Sequence, residues 1–208
     1  MHVNGNNRVS FCSSALQLRE LDKLNRQFCL AMKDFSSSTK FDAKIDSYCK
    51  TSNNGNLAIK TYEEISKKIF KNITQLREEF NKMRVYTDDK DYKLLAQLVK
   101  KYKVANCREM VELLRHNLIS KGIDCHRVGL NIGTKDYQKT RMASDHVFLV
   151  VNMKKDAKFE KPSTWGSNAI IVDPWAQSVS YASEGIEKLK NTFNLDESYE
   201  FFKFFRVF

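Results

Sequence analysis

Three polar residues that could carry out covalent catalysis stand at the ends of predicted secondary-structure elements: Cys107, His146 and Asp173. A cysteine thiolate is a strong nucleophile, a histidine moves protons near neutral pH, and a carboxylate can hold the imidazole in the required tautomer. This chemistry cleaves an acyl bond through a thioester. We therefore predict Cys107 as the nucleophile, His146 as its base and Asp173 as the orienting acid.

Cys107 is predicted to open a helix over 107–120. Asn106 is a good N-cap, and Lys121-Gly122 supplies a stop. The apolar face of this helix comprises Met110, Val111, Leu114 and Leu118. The partial positive charge of a helix N-terminus attracts a thiolate, and its N–H groups can bind an oxyanion. The backbone N–H of Cys107 is the natural oxyanion donor, with Asn106 a candidate for the second. Taken alone, Cys107 would instead be interpreted as an ordinary buried cysteine.

Two apolar runs, 147–151 and 169–172, are predicted to be strands. His146 immediately precedes the first run, and Asp173 immediately follows the second. Sequential strands of this kind are usually antiparallel neighbours. If Val151 pairs with Asn168 across the polar insert 154–168, His146 lies directly opposite Asp173. Directly opposed residues point to the same face, so the carboxylate can reach the imidazole.

The other histidines are less suitable as the catalytic base. The two tryptophans are candidates for lining the site that binds the acyl group. His116 falls in the middle of a helix, and His126 follows Cys125 in a predicted strand, where neighbours point to opposite faces. Trp165, in a loop, is expected to contact substrate. For Trp175 a substrate role and a packing role are equally open.

The pattern of apolar residues along the rest of the chain predicts an α+β fold. Its N-terminal half is helical, and an antiparallel sheet carries His146 and Asp173. Helices are predicted over 14–35, from a capping box at 61–64 to residue 83, over 88–102 and over 183–193. Strands are predicted over 123–132, 145–151, 169–173 and 201–208. We expect one domain over 1–208, with an N-terminal helix and loops in 1–60 and the catalytic core in 61–208.

The amino-acid composition excludes several classes of protein and several kinds of site. The 208 residues include 42% hydrophobic residues and only 7 Gly and 2 Pro, which excludes fibrous and low-complexity chains. The five cysteines show no metal-binding spacing and there is no phosphate-binding loop, so we expect no metal and no cofactor. The net charge of +10 is spread along the chain, so nucleic-acid binding would rest on charge alone and is not expected. No signal peptide or membrane span is predicted, and the protein is expected to be soluble.

Three blocks, 106–110, 145–150 and 171–176, resemble the motif blocks of papain-like and transglutaminase-like cysteine enzymes. The similarity is greatest to the thiol deamidases, transglutaminases and proteases found among bacterial toxins and translocated effectors, and it covers roughly residues 100–180. The resemblance implies a papain-like or transglutaminase-like fold and acyl transfer on a protein amide, with a glutamine of a host protein as the favoured substrate. It also implies a bacterial cytoplasmic origin before translocation and the host cytosol as the working site.

Two other functions remain open from the sequence. The first is a cysteine protease of the same superfamily. The second is a basic, non-catalytic interaction module that docks a partner on its N-terminal helices.

Overall fold

A computed structural model describes residues 14–33, 35, 55–85, 88–134, 143–192 and 199–207. The helices are α1 (Ser14–Ala31), α2 (Gly55–Met83), α3 (Asp88–Tyr102), α4 (Cys107–Ser120) and α5 (Ala182–Thr192). The strands are β1 (Cys125–Thr134), β2 (Ala143–Val151), β3 (Ile170–Asp173), β4 (Ser178–Tyr181) and β5 (Tyr199–Arg206). A short 3-10 helix, Pro162–Thr164, lies between β2 and β3.

The strands form one antiparallel sheet in the order β4-β3-β2-β1-β5. β2 and β3 therefore lie near the middle of the sheet, and alternate side chains of β2 enter different cores. Leu149 packs under α1 and α4 with Leu21 and Leu114, whereas Phe148 packs on the opposite face with Trp165 and the residues of α5. Helices on one face and α5 on the other bury the central strands.

A third core lies among the helices, where α2 and α3 pack on α4. Its buried residues include Leu76 of α2, Leu98 of α3 and Met110 of α4. This core matters for the site because it supports the N-terminal turn of α4. The end of α1 joins it through Met32.

The predicted mixture of helices and antiparallel strands is confirmed, and α3 and α4 have the predicted bounds. β4 was not predicted, because Ser178–Tyr181 is too short to show an alternating pattern. Part of the N-terminal region predicted to hold loops, residues 36–54, and the two cysteines Cys12 and Cys49 lie outside the described residues.

The predicted start of the second helix was wrong. The capping box Thr61-Tyr62-Glu63-Glu64 lies inside α2, which begins at Gly55. A capping box marks a helix start only where the preceding residues do not favour helix, and Leu57, Ala58 and Lys60 are good helix formers. The expected division between residues 60 and 61 consequently falls within one continuous helix.

The apolar stripe of α1 is largely core, since Leu21 and Met32 are buried. Leu16 and Leu30 remain exposed, and partner docking on the N-terminal helices stays a prediction. Among the described helices, none combines the length and the apolar character needed to cross a membrane.

Replacement of Leu114 should reveal how strongly α4 is held on the sheet. Leu114 is fully buried between α4 and the strands, so Leu114→Ala should lower the free energy of unfolding by about 2–5 kcal/mol. Ile119→Ala, on the same helix but 42% exposed, should cost less than about 1 kcal/mol. Urea unfolding measures both, and equal effects would contradict this packing.

Candidate functional site

Cys107 is the first residue of α4, and its position is fixed by a cap. Asn106 occupies the N-cap with extended backbone angles, and its carbonyl accepts the first helical hydrogen bond from Met110 N–H at 2.9 Å. The carboxylate of Glu109 turns back and accepts a hydrogen bond from Asn106 N–H at 3.1 Å. This half of a capping box anchors the chain on the residue before the thiol.

The buried carboxylate of Glu109 is itself held by an ion pair with a partly exposed arginine. Arg77 of α2 donates to its two carboxylate oxygens, from Nε at 2.8 Å and from a terminal guanidinium nitrogen at 3.3 Å. The Glu109 side chain is only 3% exposed. Since a buried carboxylate is costly without partners, the two-point contact of Arg77 stabilises the cap and ties α2 to the start of α4.

The predicted register of β2 and β3 was wrong by two residues. Val151 pairs with Ile170 rather than with Asn168, so His146 is not directly opposite Asp173. The reason is that Ala169 belongs to the connection, where its carbonyl accepts from Ala182 N–H at 2.8 Å, and Asn168 stays exposed. A shift of two preserves the face, because side chains alternate with period two.

His146 and Asp173 therefore still meet, on a diagonal of the sheet. His146 Nε2 lies 2.6 Å from Asp173 Oδ2, and the side chains are 2% and 0% exposed. Nε2 is occupied by the carboxylate, which leaves Nδ1 as the ring nitrogen available to another partner.

The second oxygen of Asp173 is fixed by the turn that follows β3. Asp173 Oδ1 accepts hydrogen bonds from the backbone N–H groups of Trp175 and Ala176, both at 3.0 Å. The carbonyl of Pro174 accepts a hydrogen bond from the Cys29 thiol of α1 at 3.4 Å. The carboxylate is thus held by three donors, and its turn is held by α1.

Cys107 also acts on His146, since it contributes to the raised pKa of the imidazole. Burial has the largest influence on the imidazole and lowers its pKa. The charge and hydrogen bond of Asp173, followed by the hydrogen bond and charge of Cys107, act in the opposite direction and raise the pKa of His146 to about 10. Because this value lies above the usual 6.5, the protonated ring contributes stability in full below pH 6.5, and that contribution is lost as pH rises to about 10.

The two tryptophans are placed differently from each other. The ring of Trp175 lies 5.1 Å from that of His146 at an angle of 56°, and it also packs against the helical core. Trp165 is fully buried, and its Nε1–H donates to the carbonyl of Lys158. The expectation that Trp165 contacts substrate was wrong. Its ring packs in the core beside Phe204 and is not exposed at the surface of the loop.

The oxyanion donors are only partly defined. The backbone N–H of Cys107 lies in the first turn of α4, where N–H groups have no carbonyl of the preceding turn to bind. Asn106 Oδ1 is buried and has no hydrogen-bond partner. That atom is an acceptor, so Asn106 would have to offer its Nδ2 to an oxyanion.

The remaining described cysteines and histidines have other surroundings. Burial raises the pKa of Cys125 to about 12. His116 stacks on Tyr92, and His126 lies edge-on to Phe159. Within the described ranges no group of three or more His, Cys, Asp or Glu side chains is arranged to hold a metal ion.

Sequence reasoning missed Glu109 and Arg77. The spacing Asn106-x-x-Glu109 is a capping-box pattern and could have identified Glu109. Arg77 lies 32 residues before Glu109 in another helix, so no local signal marks it.

The thiols of Cys107 and Cys125 should differ strongly in reactivity. At pH 7 Cys107 should be alkylated by iodoacetamide at least about a hundredfold faster, because a thiol with a pKa of about 12 has almost no thiolate. Peptide mass spectrometry over a time course measures both rates in one sample. Similar rates, or a protected Cys107, would contradict the proposed geometry.

The protonation of His146 should depend on Asp173. In Asp173→Asn the pKa of His146 should fall well below about 10, because the largest of the influences that raise it is removed while the lowering effect of burial remains. An NMR titration of labelled histidine side chains measures this, with His126 as the internal reference. An unchanged His146 titration would show that another group holds the proton.

Comparisons of the chain with protein-family models, with curated proteins and with solved structures return no match.

Proposed function

We propose that this protein is a cysteine-dependent enzyme that transfers the acyl group of a protein amide through Cys107, His146 and Asp173, as a glutamine deamidase or transglutaminase. One observation carries the proposal: a buried imidazole is bonded to a carboxylate, and Cys107, at a helix N-terminus, raises the pKa of the same ring. The resemblance of the three motif blocks to papain-like and transglutaminase-like enzymes points in the same direction.

The raised pKa of His146 assigns the protons in this mechanism. The pKa of His146 is raised, so we assign the proton of the reactive form to its ring and the role of thiolate nucleophile to Cys107. The thiolate attacks the carbon of the glutamine carboxamide, and the carbonyl electrons move to oxygen. The N–H groups at the start of α4 bind this oxyanion.

The tetrahedral adduct then collapses to a thioester. The carbon–nitrogen bond breaks, and the imidazolium of His146 donates its proton so that ammonia leaves. The ring is now neutral and accepts a proton from the incoming nucleophile, which attacks the thioester; the new adduct collapses, its carbon–sulfur bond breaks, and the Cys107 thiolate and the His146 imidazolium are restored. Water as nucleophile gives glutamate, and a lysine amine gives a cross-link.

Supporting residues have defined positions in this scheme. Asp173 keeps Nε2 protonated and the ring oriented, since its carboxylate is fixed by two backbone N–H groups. Trp175 lies against the imidazole and would exclude water from it. Asp173 and Trp175 thus act on the imidazole next to the thiol, and neither is assigned a contact with the substrate carbonyl.

The source and working compartment belong to the same proposal. Motifs similar to those of translocated effectors suggest a protein made in a bacterium and active in a host cytosol. The substrate is then a host protein.

Ammonia release and incorporation of a fluorescent primary amine should be measured with a panel of host proteins. Wild type should release ammonia or label a substrate glutamine, and Cys107→Ala should lose at least about a thousandfold of the rate, since the nucleophile is gone. Cys125→Ala is the matched control and should retain activity, because that thiol is part of the core.

The outcomes separate the related enzyme classes. Cleaved substrate bands that depend on Cys107 would replace the deamidase or transglutaminase assignment with a protease. Activity that survives Cys107→Ala would reject the thiol mechanism. A Cys107 that is labelled by no thiol-reactive amide probe would support a non-catalytic interaction module instead.

A further inference from the structure

A cavity of about 440 Å³ lies beside α4 and takes no part in the proposed reaction. Residues of α2, α3 and α4 form most of its wall, with Arg127 of β1 at one side. Its volume is in the range of pockets that hold small molecules.

The wall of this cavity is rich in arginine. Its guanidinium groups belong to Arg77, Arg84, Arg108, Arg115 and Arg127. Its carboxylates belong to Asp91, Glu109 and Glu112. Among the described residues that line the cavity, five cations against three anions leave a surplus of two positive charges, in a concave space where fields are stronger than on an open surface.

The three carboxylates are already engaged. Glu109 binds Arg77, Glu112 binds Arg127, and Asp91 Oδ1 accepts a hydrogen bond from a backbone N–H at 2.9 Å. In the part of the chain that the structure describes, Arg108 and Arg115 form no ion pair. The N–H donors of these two guanidinium groups are therefore available to a ligand.

An aromatic pair completes the wall. The rings of Tyr92 and His116 stack with centroids 3.6 Å apart and planes within 5° of parallel. Tyr92 belongs to α3 and His116 to α4, so this stack joins the two helices at the wall of the cavity.

We propose that this cavity binds a small anion that carries two or more phosphate groups. A guanidinium matches two phosphate oxygens with parallel N–H donors, and two unengaged arginines suit two phosphates. The surplus of two charges fits a ligand with at least two negative charges. This proposal does not depend on the enzyme activity proposed above.

Isothermal titration with pyrophosphate at low ionic strength tests the site in the full chain. Wild type should bind, and the affinity should fall as salt is added. Arg108→Gln/Arg115→Gln should weaken binding at least about tenfold, because two charge-assisted contacts are lost. The control Arg19→Gln/Arg26→Gln removes the same charge from the exposed face of α1 and should change affinity less than about twofold.

Arginine footprinting on the wild type keeps the test independent of variant folding. Pyrophosphate should protect Arg108 and Arg115 from phenylglyoxal, read by mass spectrometry, and leave Arg26 reactive. The proposal is overturned if pyrophosphate does not bind at millimolar concentration, if both double variants bind equally well, or if protection is the same at Arg26. Tighter binding of a polyglutamate peptide than of pyrophosphate would overturn it in favour of an acidic protein partner.

Discussion

The hydrogen bond between His146 and Asp173 is the interaction on which the site depends. Both side chains are almost fully buried, and a buried ionic pair is stable only when its remaining donors and acceptors are satisfied. The turn after β3 meets this need with two backbone N–H groups on Asp173 Oδ1, and Cys29 of α1 holds the same turn through Pro174. Removal of one partner would leave an uncompensated charge in the centre of the sheet.

A second ion pair, with a buried carboxylate and a partly exposed guanidinium, positions the start of the helix that bears the thiol. Glu109 bonds to the backbone of Asn106 and to the guanidinium of Arg77, so the start of α4 is tied to α2. The helical half of the chain is therefore a support for Cys107 and not a separate appendage. The sheet holds the imidazole and the carboxylate, and the helices hold the thiol, so the site exists only where the two parts pack together.

The raised pKa of His146 connects this architecture to chemistry. Asp173 and Cys107 together outweigh the effect of burial, and the ring carries a proton at neutral pH. In the proposed mechanism His146 consequently acts first as an acid and only later as a base. The same α4 forms one wall of the arginine-rich cavity through Arg108 and Arg115, which places a proposed anion site on the helix that bears the nucleophile.

The sequence by itself determined those features that rest on local interactions. The helix over 107–120 follows from its N-cap and its apolar period, and the alternation of β2 and β3 placed His146 and Asp173 on one face. That conclusion survived an error of two residues in register, since a shift of two keeps both side chains on one face and leaves them diagonal neighbours.

Tertiary structure decided what long-range packing controls. Trp165 was expected at the surface of a loop, but its ring is buried and its Nε1–H donates to the carbonyl of Lys158. These contacts lie in the β2–β3 connection, which joins the two strands whose register was predicted wrongly. Arg77 became part of the site through a contact with Glu109 across 32 residues. Neither leaves a local pattern, because both depend on which elements are neighbours in space and not in sequence.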